Sequence, residues 1–164
     1  MADADSGHRA TFSGRAAELG IELPNVPVPI ANFRPFRVCG SMAFMAGQTC
    51  EWNGEMTLKG KIGLDHDIPA GQQAARICGL NLIAALSQAC DDDLGRVEAC
   101  IRLGGFVNAP ADFEFVPKVI NGASDLMHEF FGDIGAHART AVGVETLPQR
   151  AAVEVDAIFM LRLS

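Results

Sequence analysis

HARTAVGVETLP, residues 137–148, places a permanently charged arginine inside a run of small and β-branched residues. Val142 and Val144, with Thr140, favour a strand. Side chains on a strand alternate between its two faces. The alternation puts His137, Arg139, Ala141, Gly143 and Glu145 on one face, and predicts that Ala138, Thr140, Val142 and Val144 form the buried one. Arg139 then stands beside two small residues, Ala141 and Gly143, which leave room for a ligand or another chain. A guanidinium is a planar fork of donors suited to gripping a carboxylate through two hydrogen bonds.

The next strand is expected over 152–163. Val153, Val155, Ala157, Phe159 and Leu161 alternate there with Glu154, Asp156, Ile158, Met160 and Arg162. Glu154 and Asp156 share a face, so either can pair with Arg139 or act as an acid or base beside a ligand held by it. A plainer reading stays open: arginine on a sheet is commonly a surface residue or half of a structural ion pair, and His137 an ordinary strand-end histidine.

Upstream, residues 1–8 are expected as a disordered lead-in and 10–19 as a short helix ended by Gly20. The stretch ELPNVPVPIANFRPF (22–36) carries four prolines and reads as irregular, extended chain. A strand is expected over 37–46 with a turn or bulge at Gly40-Ser41, interrupted at Gly47-Gln48. Asn53-Gly54 marks a tight turn. Residues 69–90 read as a helix: Pro69 suits a first turn, and Ala74, Cys78, Leu82, Ala85 and Ala89 form its inward stripe. Asp91-Asp92-Asp93 follows as a solvated turn, without the pattern of a calcium loop. Over 96–107, Val97, Ala99, Ile101 and Leu103 alternate with Glu98, Cys100 and Arg102. Gly104-Gly105 reads as a bulge or a close packing point. A second helix spans 115–131, closed by Gly132.

Helices with one apolar stripe each, interleaved with strands, predict a two-layer α+β domain: a mixed β-sheet covered on one face by two main helices. The domain is expected over 25–164, after an N-terminal lead-in over 1–24.

At 164 residues the chain suits one domain. A chain of this size buries roughly 68–70% of its unfolded surface. The net charge of −7, from 13 Lys+Arg against 20 Asp+Glu, comes with no basic run. This argues against nucleic acid, whose binding rests largely on phosphate contacts. No stretch approaches the ~20 apolar residues of a membrane span. Residues 1–10 lack the basic and apolar regions of a secretory signal, so a cytoplasmic location is expected. The five cysteines are odd in number and show no C-x-x-C or zinc-ligand spacing, and their apolar neighbours predict buried, reduced thiols. Nothing resembles a nucleophile elbow, a P-loop, H-E-x-x-H or a dinucleotide-binding glycine pattern.

HARTAVGVETLPQRAAVEVDAI resembles the C-terminal motif of the RidA/YjgF-like family (reactive intermediate deaminases, also called L-PSP-type), P-A-R-S-x-V-x-V-x-x-L-P followed by V-E-I-x-A-I. Ala46-Gly47-Gln48 is similar to the family's S-G-Q. Val119 to Ser124, with Phe130-Phe131-Gly132, resembles the branch with longer chains. The likeness spans residues 25–163. It implies a chorismate-mutase-like fold assembled as a homotrimer with clefts between subunits. It further implies cofactor-independent hydrolysis of small enamine or imine intermediates, such as 2-aminoacrylate, to 2-oxo acids and ammonia. Arg139 matches the arginine that grips the substrate carboxylate, and Glu154, fifteen residues on, the glutamate that positions water or relays protons.

Phe33, Gly47, Gln48, His137 and Ala141 are the expected substrate-binding positions; no metal or organic cofactor is expected. Phe33 stands where these deaminases usually carry tyrosine, and Ala46 where they often carry serine. His137 replaces a proline and offers a polar group in exchange. The missing hydroxyls keep a second reading open, a non-catalytic trimer that binds small carboxylate metabolites. Ribonuclease activity, attached to relatives under the L-PSP label, fits the acidic balance least.

Overall fold

Helix boundaries follow from local capping chemistry in the computed structural model, which describes residues 10–163 apart from Pro27 and Ile30. The lead-in expected over 1–8 lies outside the described residues. Helix α1 (Phe12–Leu19) starts where the Thr11 side chain accepts the Gly14 N–H and ends at Gly20, whose φ of 65° needs no Cβ. Asp92 accepts the backbone N–H of Ser13 at 3.2 Å and its hydroxyl at 2.7 Å. The acidic turn therefore ties α1 down as well as meeting solvent. Phe12 is fully buried and stacks on Phe130, with ring centroids 6.1 Å apart.

Helix α2 (Ile68–Ala89) is capped by Asp67, which accepts the Ala70 N–H at 2.9 Å. Its whole middle, residues 78–86, is buried rather than a single stripe. The sheet takes one side of the helix and α3 (Val116–Phe131) another. In α3, Val116, Val119, Ile120, Ala123, Met127 and Phe130 recur at helical spacing and are buried. Each such large side chain stabilises the fold by about 1.5–3 kcal/mol on full burial. The two helices touch closely at Gly122, where any Cβ would meet the backbone carbonyl of Gln72.

The strands are β1 (Phe36–Cys39), β2 (Met42–Thr49), β5 (Val97–Asn108), β6 (Ala138–Val144) and β7 (Val153–Leu161), with a small hairpin of β3 (Glu51–Trp52) and β4 (Glu55–Met56) turning at Asn53-Gly54. The main sheet has the order β1-β2-β7-β5-β6. All its pairings are antiparallel except β5 with β6, which α3 joins as a crossover. This is the two-layer, mixed-sheet α+β architecture expected, with helices on one face. Gly47-Gln48 does not end β2; the register shifts there and the strand continues to Thr49.

Two further irregularities, at 97/99 and 100/102, break the alternation expected in β5. Each extra residue flips the following side chains. Cys100 accordingly enters the core and Ile101 is exposed. The Gly104-Gly105 pair keeps regular register, and Gly105 is a close packing point beneath Ile120.

The faces of β6 are opposite to those expected. Leu103, Gly105 and Val107 of β5 point at the helices, and they pair with Arg139, Ala141 and Gly143. The arginine face is thus the helix side, where Gly143 meets Val116. Ala138, Thr140 and Val142 lie on the uncovered face and are exposed. That face also carries Phe44 (46% exposed), Met42, Phe106, Ile158 and Met160 around an Arg102–Asp156 ion pair of 3.0 Å. Val142 itself is 41% exposed.

Candidate functional site

At the β6 edge, Arg139 is oriented by groups of α3. One terminal nitrogen donates to Asn121 Oδ1 at 2.9 Å and to Ser124 Oγ at 3.1 Å. The other donates to the Pro117 carbonyl at 3.3 Å, an oxygen near the start of α3. Neither Glu154 nor Asp156 pairs with it: Asp156 is bound to Arg102, and both acids lie across the sheet. All three partners of Arg139 are neutral. Among the described residues no carboxylate bridges it, so its charge is held in place and left uncompensated.

His137 completes this cluster. Its Nδ1 lies 2.7 Å from the Gly135 carbonyl and its Nε2 2.9 Å from Ser124 Oγ. A carbonyl only accepts, so Nδ1 carries the proton and Nε2 is left as an acceptor for the Ser124 hydroxyl. A one-way chain results: Arg139 donates to Ser124, Ser124 to His137, and His137 to Gly135. Burial holds the His137 pKa below its ordinary 6.5, while the Gly135 bond opposes this and His128 and Arg139 add to it. The ring is neutral at neutral pH, as the chain requires.

The second group lines a cavity of about 460 Å³ at the other side of the molecule. Phe33, Ala46, Gly47, Gln48, Thr49, Glu154 and Pro148 form its wall. Glu154 is half-buried and makes no hydrogen bond or ion pair among the described residues. Burial raises its carboxyl above the usual range, and the nearby Asp156 charge raises it further. The carboxyl occupies the space a side chain at position 47 would fill, since a Cβ on Gly47 would collide with Glu154 Oε1. Phe33 and Ala46 present carbon to the cavity where hydroxyls were the alternative.

Within one chain, then, the expected residues fall into two groups. His137, Arg139 and Ala141 stand at the sheet edge; Phe33, Gly47, Gln48 and Glu154 line the cavity, with β5 between β6 and β7. Ser124 and Asn121 were not expected as site residues. Their sequence signal is slight: Ser124 is a polar residue on the buried side of α3, one turn after Asn121. Four cysteines, Cys50, Cys78, Cys90 and Cys100, are buried and Cys39 is exposed; all are free. Burial pushes the Cys100 thiol up to about 12 and Cys90 to about 11, far from thiolate reactivity. No cluster of potential metal ligands occurs among the described residues, and none of their helices is long and apolar enough to cross a membrane.

Residues 13–159 match the family model described as "YjgF/chorismate mutase-like, putative endoribonuclease". This chain belongs to the YjgF family. A YjgF-family assignment is supported by the Trypanosoma cruzi protein TCP17, 40% identical over 154 residues, covering 91% of this chain and 96% of that protein. The crystal structure of an Agrobacterium tumefaciens protein of unknown function is 37% identical and superimposes with a TM-score of 0.84, over 93% of this chain and 94% of the other. A Shewanella oneidensis structure named as a putative endoribonuclease gives 33% identity and 0.87, over 92% and 99%. The YjgF fold is thus shared with these two solved structures over most of the chain.

Proposed function

We propose that this YjgF-family chain hydrolyses small enamine or imine intermediates to 2-oxo acids and ammonia, without a cofactor, in clefts between the subunits of a homotrimer. The carrying observation is Arg139, a guanidinium fixed by neutral acceptors with its charge unspent. Such a fork takes the carboxylate of an amino-acid-derived imine and sets the carbon of the C=N bond in a fixed place.

Glu154 supplies the proton traffic from the adjoining subunit. An enamine first shifts a proton from its nitrogen to its β-carbon, by way of water, and becomes the imine. Water then adds to the imine carbon, giving one proton to the Glu154 carboxylate. Glu154 returns that proton to nitrogen, then carries the remaining hydroxyl proton to nitrogen as the C=O bond forms and the C–N bond breaks, so both protons of the water leave on ammonia and a 2-oxo acid remains. A carboxyl held above its ordinary pKa suits both directions of transfer. The trimer reading draws support from the separation of Arg139 and Glu154 within a chain, and from an apolar sheet face that a monomer would leave in water. Buried, unpaired thiols fit a reducing, cytoplasmic setting.

Enamines released by a PLP-dependent lyase test this directly, by following ammonia and 2-oxo acid. The wild-type chain should accelerate their decay, and Arg139→Ala should return it to the spontaneous rate. An unchanged rate with imines of several amino acids would refute the reading. The carbon surfaces of Phe33 and Ala46 favour a second one, a non-catalytic binder of small carboxylates. It predicts thermal stabilisation by 2-oxo acids without turnover. The net charge of −7 weighs against RNA as substrate.

A further inference from the structure

Beside the Glu154 cavity lies a second compartment of about 310 Å³; the two share Val28, Gln48, Thr49, Glu51 and Gln149 as walls. Asn81 reaches this inner compartment from α2 and is 97% buried, being 3% exposed. Its amide orientation is fixed, because Nδ2 donates to the carbonyls of Glu51 at 2.6 Å, Ile77 at 3.2 Å and Thr49 at 3.4 Å. Three acceptors on one side settle which atom is nitrogen. Asn81 Oδ1 is left without a donor among the described residues, and Asn81 lines the compartment.

Gln48, only 7% exposed, repeats the pattern: Nε2 donates to the Ala46 carbonyl at 3.3 Å, and Oε1 finds no donor among the described residues. Glu51 adds a carboxylate, touched only by a long 3.4 Å contact from Gln149 Nε2. The exposed amides of Asn25, Asn53 and Gln149 complete the wall, and Asn53 already spends its Oδ1 on the Asn25 N–H at 2.8 Å. Among the described residues no lysine or arginine lines either compartment. The side-chain atoms of Asn81 and Gln48 left without a partner are therefore acceptors, and the formal charges that the described residues bring to the two walls, Glu51 and Glu154, are negative. Acceptors without a partner that reach the space of a shielded compartment favour a donor-rich guest.

We propose that the compartment bounded by Asn81, Gln48 and Glu51 is a subsite for a cationic N–H-rich group, an ammonium or guanidinium, at the far end of the substrate side chain. The carboxylate end of that substrate rests on the function proposed above; the cation subsite does not. The preferred substrate class becomes imines of amino acids with basic side chains.

Two measurements on the full chain keep the proposals apart. Calorimetric titration with methylguanidinium and n-butylammonium, neither bearing a carboxylate, should show binding that n-butanol lacks. Glu51→Gln should weaken it roughly tenfold or more, as expected on losing a hydrogen bond to a charged group. In turnover, the ratio of kcat/KM for a basic-tailed imine over an apolar-tailed one should fall by a similar factor in Glu51→Gln. Asn81→Leu should act likewise, but its loss of three backbone contacts can unfold the chain, so Glu51→Gln decides. Equal binding of n-butanol and the cations, or an unmoved kcat/KM ratio in Glu51→Gln, overturns the subsite. Cation binding without turnover of any imine would uphold it while sinking the hydrolase.

Discussion

The Arg139 edge and the Glu154 cavity solve opposite electrostatic problems. Arg139 is exposed, permanently charged and gripped by three neutral acceptors. Glu154 is half-buried, without a hydrogen-bond partner among the described residues, and pushed toward its neutral form by burial. One region holds a charge still so that it can attract; the other withholds solvation so that a proton can move. The proposed hydrolysis needs both arrangements, so under that proposal a neighbouring subunit brings the second.

Removing the charge should have the largest consequence. Arg139→Ala is expected to lower kcat/KM on amino-acid-derived imines by about 10²–10³, the scale for losing one oriented donor group at a reacting centre. Its effect on stability should stay within about 0.5 kcal/mol, because the side chain is exposed. A denaturation midpoint near wild type alongside lost turnover would separate grip from folding.

Gly47→Ala attacks the other region. The new methyl must displace the Glu154 carboxyl, and a shift of about 1 Å at a reacting group can cost up to 10²-fold in rate. Glu154 can swing aside, so the fold should survive. Steady-state kinetics with unchanged circular dichroism would bear this out, whereas undiminished turnover would remove Glu154 from the proposed proton relay.

Ser124→Ala is milder. It cuts the chain between Arg139 and His137 while leaving both residues in place. A neutral hydrogen bond contributes about 0.5–1.5 kcal/mol, so carboxylate binding should weaken by roughly two- to tenfold. Titration with a 2-oxo acid measures it, and Ser124→Thr should restore most of the loss.

The smallest effect concerns pH. Glu154 has its folded pKa raised above the ordinary 4.5. The folded chain binds the proton more readily, so stability from this group is fully present below pH 4.5 and is lost as pH rises through the folded pKa. Glu154→Gln should therefore unfold at a higher temperature than wild type at pH 7, with the gap closing toward pH 4.5. A gap that grows on acidification would contradict the burial argument.

Much of the fold was readable from residues. The span of α2, the alternation of β7 and the turn at Asn53-Gly54 each reflect a local rule, and the structure keeps them. The faces of β6 were not readable, for a physical reason. Alternation sorts residues into two sets but does not say which set meets the helices. At an edge strand both sets are mixed, and Arg139 follows α3 because Asn121 and Ser124 satisfy it there. In β5 the two bulges lie outside any simple pattern, so Cys100 and Ile101 changed places. Arg139 and Glu154 looked like partners because only fifteen residues separate them; the strand order places β5 between their strands. Ser124 and Asn81 are tertiary features, each defined by groups far along the chain.

The crossover from β5 through α3 to β6 has a meaning for descent. Everything that holds Arg139 comes from one uninterrupted stretch, 116–139. The two compartments are walled instead by residues 25–54 and 148–154, with Asn81 behind them. Inheritance can therefore rewrite the cavity by exchanging its wall segments, while Arg139 and the groups that bond its guanidinium pass on as a unit. Grafting residues 25–54 from a relative onto this chain would be the laboratory counterpart of that history.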